Sequence, residues 1–163
     1  MLKKNNYFFS ENDRKIYDLF FKDKFNGIFV ELGAVDGIIG SHTLFLEKYR
    51  KWTGVLIEPD ERQFNKLVVN RPNSKCYNYV ISTIDDSVEF NLKAESQCNT
   101  IKGLPDGGNS PIATKIYPTK KMSEILHDAK RFYHIISEHC FVNKDAWQAE
   151  DMQLISYILN NGT

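Results

Sequence analysis

Apolar residues along this chain fall into short continuous runs and into spaced sets, and the two patterns alternate. In "SENDRKIYDLFF" Ile16, Leu19 and Phe20 share one face at helical spacing, with Ser10 as N-cap candidate and Asp13 three residues on, a variant of the capping box. "GIFVELG", from Gly27, is an apolar run between glycines and predicts a buried strand. A glycine-rich turn follows, then a helix through "HTLFLEKYR" that Ser41 can cap. "TGVLIEP" predicts a second buried strand, ended by Pro59. "DERQFNKLVVNR" predicts a helix with Phe64, Leu67 and Val68 inward and Asp60 as cap. "KCYNYVIS" and "SVEFNLK" read as two further strands around an Asp85-Asp86 turn.

The segment 94–118 is rich in Gly, Pro, Asn, Ser and Thr and reads as a long loop, the kind of segment that is usually functional or mobile. Within it, the stretch 99–108 is either a lid or a disordered insertion. Beyond it "KKMSEILHDAK" predicts a helix with Met122, Ile125, Leu126 and Ala129 on one face, and "FYHIISEH" a strand. "DAWQAEDMQLISYILNNG" predicts a last helix with Met152, Ile155 and Leu159 inward and Gly162 as C-cap. No internal repeat is present.

Strand, helix, strand, helix, strand is the pattern of a parallel sheet covered by helices on both faces. The expected fold is therefore α/β, with residues 1–163 as a single domain. In such sheets ligands bind beyond the carboxyl ends of the strands. The turn from Gly33 to Gly37 and the acid Glu58 both fall at such ends.

Charge narrows the partners. Lys plus Arg and Asp plus Glu each number 21, so the chain has no basic excess to drive nucleic-acid or membrane-surface binding. Cys76, Cys98 and Cys140 are odd in number and form no C-x-x-C pair, which fits reduced thiols in the cytosol rather than a zinc site or a disulfide framework. No stretch reaches the length of a membrane span, and no signal peptide follows "MLKKNNYFF". The expectation is a soluble, cytoplasmic protein.

The turn "ELGAVDG" raises the chemical question. Gly33 and Gly37 permit positive φ and a close backbone approach to a ligand. Glu58 lies about 20 residues further on, where a carboxylate can accept both hydroxyls of a ribose. The dinucleotide fingerprint G-x-G-x-x-G is absent, and no Lys or Arg lies between Glu31 and Gly40. With Glu31 and Asp36 flanking the turn, a pyrophosphate is disfavoured and a cationic ligand favoured. S-adenosylmethionine has the ribose, the α-amino group and the sulfonium that this pattern asks for. The alternative is a tight turn whose acids serve the N-terminus of the next helix.

Taken together, Glu31-Leu32-Gly33-Ala34-Val35-Asp36-Gly37, Ser41-His42-Thr43, and Trp52-Thr53-Gly54 through Ile57-Glu58-Pro59 resemble the FkbM-type methyltransferases, over roughly residues 9–93. The family shows E-x-G-A-x-D-G at a strand end and then W-x-G-hydrophobic-x-I-E-P. "SENDRKIYDLFF" resembles its leading helix, with Asn12-Asp13 where Gln-Asp is common. The resemblance implies a class I methyltransferase-like (Rossmann-like) fold that uses S-adenosylmethionine to methylate a hydroxyl of a sugar or natural product. It implies that Glu31, Gly33 and Asp36 serve the methionine end, that Glu58 holds the ribose hydroxyls, and that Ile81 and Ser82 border the adenine. Ala34, Gly37, Thr43 and Pro59 would also belong to the cofactor site.

One family element is missing: no D-x-E-G occurs anywhere in the chain. "FYHIISEHC" is either the family's later strand, with the D-x-E-G strand lost and some C-terminal strands lacking, or a diverged replacement for it. A hydroxyl acceptor needs a proton acceptor. Glu138 and His139, at the end of that strand, are the substitutes, and His42 beside the turn is a further candidate. The competing readings are a degenerate domain that binds the cofactor or a partner without catalysis, and a nucleotide-dependent oxidoreductase, which the glycine pattern disfavours.

Overall fold

The computed structural model describes residues 11–22, 24–83, 86–104, 110–126 and 134–137. It is a mixed α/β structure with strands in two sheets. The first sheet has the order β3-β2-β1-β8 and is parallel throughout. Its strands are β1 (Ile28–Leu32), β2 (Thr53–Ile57), β3 (Lys75–Tyr77) and β8 (His134–Ser137). Helices α2 (Leu44–Arg50) and α3 (Glu61–Asn70) make the crossovers β1→β2 and β2→β3. Each strand alternates its side chains between the two faces. Phe29 and Leu56 join Phe45, Leu46, Trp52 and Leu67 on one face, while Val30, Leu32, Val55 and Ile57 join Met122 and Ile125 of α4 (Met122–Leu126) on the other. Helices therefore cover both faces, and burial on both sides explains why β1 and β2 are almost uninterrupted apolar runs.

Gly54 sits against the Phe29 ring. A Cβ at Gly54 would meet that ring and the Phe29 carbonyl. Gly54→Ala is expected to cost about 1–3 kcal/mol by overpacking, read from the urea midpoint. An unchanged midpoint would show that the ring has room to move.

The second sheet has the order β4-β7-β5-β6. It contains β4 (Val80–Ile81), β5 (Ser87–Leu92), β6 (Thr100–Ile101) and β7 (Ala113–Lys120). β5 runs antiparallel to β6 and β7, and β4 parallel to β7. Its own small core holds Val80, Val88, Phe90, Leu92 and Tyr117, with Phe90 and Tyr117 edge to face at 5.4 Å.

Four sequence expectations change. The segment 94–118 is not one loop: β6 and most of β7 lie in it, because β5 supplies pairing partners that local composition does not reveal. "KCYNYVIS" is two strands in different sheets. The break is at Asn78, whose side-chain amide donates to the carbonyls of Glu58 (2.8 Å) and Pro59 (2.7 Å) and so turns the chain across the tip of β2. In α1 (Glu11–Ile16), which continues as a wider π-helical turn over Tyr17–Phe21, the apolar stripe faces water: Ile16, Leu19 and Phe20 are 40%, 76% and 63% exposed. The π turn rotates later residues off the 3.6-residue period, and Tyr17 is the buried one. Its ring meets Phe45 edge-on at 5.0 Å, and its hydroxyl donates to the Lys22 carbonyl and accepts from Arg50 Nε. In α3, Leu67 is buried and Phe64 half-buried as expected, but Val68 is exposed. Ser10, Ala129, the expected helix over 145–162, and Glu138 and His139 lie outside the described residues.

Candidate functional site

The tips of β1 and β2 lie side by side because the parallel ladder runs past their ends. Leu32 pairs with Ile57, and the N–H groups of Gly33 (2.9 Å) and Ala34 (3.1 Å) both donate to the Ile57 carbonyl. The chain then turns through left-handed backbone at Gly33 (φ 68°), Val35 (φ 49°), Gly37 (φ 78°) and Gly40 (φ 72°). Three of these are glycines, for which the region is open. Val35 is β-branched, for which it is a strained outlier.

Glu58 holds that strained residue. Its Oε2 accepts from the Val35 N–H at 2.9 Å and its Oε1 from the Asp60 N–H at 2.8 Å. The side chain is buried, and burial pushes its pKa up to about 7 against the pull of those two backbone donors. A carboxylate offers about four acceptor positions, so two remain for further donors. Asp60, the expected cap of α3, accepts from the Arg62 N–H and pairs with the Arg62 guanidinium. It also accepts from Ser96 Oγ (3.2 Å) and Asn99 Nδ2 (3.2 Å), which fastens the β5–β6 connection beside the tip of β2. Burial raises the Asp60 pKa, but hydrogen bonds from Arg62 and Asn99 outweigh it and hold the carboxyl below its ordinary value. Pro59 and Ile81 are half-buried, and Ser82 is buried with its N–H on the Lys120 carbonyl (3.1 Å).

Glu31 does something other than expected. It points to the α2–α3 face and is buried. Its Oε1 accepts from the His42 N–H (2.8 Å), and its Oε2 from Ser41 Oγ (2.9 Å) and from Thr43 Oγ1. Behind it lies Arg71, fully buried at the end of α3, with Nη1 3.9 Å from Glu31 Oε2. Arg71 Nε donates to Glu47 Oε2 (2.8 Å), Nη1 to the Gly37 carbonyl (3.0 Å) and Ser41 Oγ (3.0 Å), and Nη2 to Thr43 Oγ1 (3.1 Å). The turn that carries no basic residue in sequence therefore has an arginine against it in space. The charge of Glu31 is met inside the protein, so it does not argue for a cationic ligand.

Two more assignments shift with it. A Cβ at Gly37 would lie 2.6 Å from both Arg71 Cγ and Leu67 Cδ1, so this glycine admits α3 as much as any ligand. Asp36 folds back on its own turn, with Oδ1 accepting from Ile38 N (2.9 Å) and Ile39 N (2.8 Å). The N-cap position of α2 is Thr43 rather than the expected Ser41, but Ser41 Oγ still accepts from the Leu44 N–H at 3.2 Å. The residues that sequence reasoning missed are Arg71 and Asp13, whose Oδ1 lies 2.6 Å from His42 Nδ1. For Arg71 the one sequence signal was a cation at a helix C-terminus, where the dipole favours it.

No protein family, curated protein or solved structure matches the chain. Among the described residues, no group of His, Cys, Asp and Glu is arranged to hold a metal ion. No helix among them is long and apolar enough to cross a membrane.

Proposed function

We propose that the chain is an S-adenosylmethionine-dependent methyltransferase of the class I, Rossmann-like kind, acting on a hydroxyl of a sugar or other natural-product acceptor. The observation that carries this reading is the strained Val35 backbone tied to the Glu58 carboxylate across adjacent strand tips. Strain of this sort persists where the surroundings enforce it, and it gathers at ligand sites. The turn from Gly33 to Gly37 would take the methionine end through its backbone. Glu58 would accept the ribose hydroxyls on its two remaining acceptor positions, and Pro59, Ile81 and Ser82 would border the ribose and adenine.

The donor set fits the group in kind. It has a carboxylate for a vicinal diol and backbone carbonyls for an α-amino group, the N–H groups of Gly33, Ala34, Val35 and Gly37 being engaged within the protein. When bound, the cofactor supplies a methyl carbon made electrophilic by a positively charged sulfur. The chain's own part is to hold the acceptor oxygen in line, to keep water out and to take the hydroxyl proton. Glu138 and His139 remain the proposed proton acceptors. The internal neutralisation of Glu31 favours a second reading, a domain that keeps the scaffold of such a site and binds without catalysing.

Calorimetry with S-adenosylhomocysteine, ATP and NAD tests the binding. The expected result is binding of the first alone, weakened at least about tenfold by Glu58→Ala through loss of charge-assisted hydrogen bonds. No binding of S-adenosylhomocysteine at millimolar concentration removes both readings. Transfer of labelled methyl to a glycan or hydroxylated acceptor separates enzyme from binding domain.

A further inference from the structure

The pair Asp13–His42 belongs to neither the strand tips nor the crossover cores. His42 Nδ1 lies 2.6 Å from Asp13 Oδ1, and the two side chains are 10% and 12% exposed. His42 is also held through its backbone, whose N–H donates to Glu31 Oε1. Glu31 lies two residues before Gly33, and its other oxygen carries Ser41 and Thr43. A short polar chain thus runs from α1 through His42 to the end of β1, where the turn begins.

The helix at the far end of this chain is weakly anchored by apolar burial. Of the described side chains from Glu11 to Phe21, Tyr17 alone is buried, with Asp13 and Phe21 half-buried. Segments with little apolar burial open at low free-energy cost. A polar bond that spans 29 residues ties the first turn of α1 to the segment after β1.

We propose that Asp13 and His42 are positioning residues: docking of α1 through this pair fixes the backbone geometry of the turn from Gly33 to Thr43, and with it the affinity for the methionine end of the ligand. The inference rests on the cofactor reading above for its ligand, but not for its coupling. It assigns the pair no proton transfer.

Two measurements test it. Hydrogen exchange reads the coupling without any ligand. Asp13→Ala is expected to raise exchange at the amides of Val35, Gly37 and His42 as well as in α1. Faster exchange confined to α1 overturns the proposal. Titration with S-adenosylhomocysteine and with adenosine, which lacks the methionine end, reads the consequence at a temperature where every variant is folded. Asp13→Ala, His42→Ala and the double variant are each expected to weaken S-adenosylhomocysteine about tenfold, the double no more than the worse single, with adenosine changed less than about twofold. Equal losses for both ligands, or additive losses in the double variant, overturn it, because they report general destabilisation. If the unaltered protein binds neither ligand, the cofactor reading fails, and the exchange experiment alone decides the coupling.

Discussion

Arg71→Leu is expected to destabilise the protein by about 3–5 kcal/mol, enough to unfold a domain of ordinary stability or bring it close to unfolding. Arg71 is fully buried and stands between two buried or half-buried carboxylates, Glu31 and Glu47. Leucine keeps much of the volume and the packing on Phe29, over whose ring the guanidinium lies at 5.4 Å. It removes the positive charge and four side-chain hydrogen bonds, two of which tie the end of α3 to the Gly37 carbonyl and Ser41. Two carboxylates then share one interior with no cation. Arg71→Lys is expected to recover part of the loss, because an ammonium supplies the charge but not a planar fork that reaches four acceptors. Replacing Glu31, Arg71 and Glu47 together by apolar residues is expected to harm less than Arg71→Leu alone, since no unpaired charge remains buried. Urea unfolding followed by circular dichroism measures all three. A leucine variant within 1 kcal/mol of the parent would mean that the ion cluster is incidental.

Arg71 also marks where the sequence stopped being legible. The parallel strands and their crossover helices could be read, because β1 and β2 are apolar runs of strand length and α3 carries its cap in Asp60. Those signals are local. What failed to show was non-local. The charge at the turn is set by a side chain that is 40 residues from Glu31 in sequence and arrives only when α3 packs on α2. β6 and β7 escaped notice because their pairing with β5 is what makes them strands, against a local composition that favours a loop. The outward stripe of α1 escaped because the π turn at Tyr17 breaks the period on which an amphipathic reading depends. At the candidate site, the adjacency of the Gly33 turn and Glu58 was legible from strand order. The inward turn of Glu31 was not, because the same residue type at the same strand end serves a ligand or a scaffold according to its neighbours.

Glu58 provides the other large effect, as a dependence of stability on pH. Its pKa in the folded protein is about 7 against an ordinary 4.5, so between these values the folded state holds a proton that the unfolded state has lost. Stability from this group is therefore fully present below about pH 4.5 and declines as pH rises through 7, by about 3 kcal/mol at 1.4 kcal/mol per pH unit. Asp60 acts in a separate window with the opposite sign: its lowered pKa gives stability that is lost as pH falls below its ordinary 3.8. Glu58→Gln cannot ionise, so its stability is expected to lack that decline. It has a different defect. Each oxygen of Glu58 receives a backbone N–H, from Val35 and from Asp60, and glutamine must turn its amide nitrogen to one of them. Donor facing donor costs about 1–3 kcal/mol. The variant is thus expected to be less stable than the parent at pH 5 and to equal or pass it near pH 8. Every other ionisable group is common to both proteins, so the difference between the two urea-unfolding profiles isolates Glu58. Parallel profiles would show that Glu58 is ionised throughout. In that case the proposed ribose acceptor would already be charged at pH 6, and S-adenosylhomocysteine affinity would not tighten between pH 6 and 8 as a half-protonated carboxyl requires.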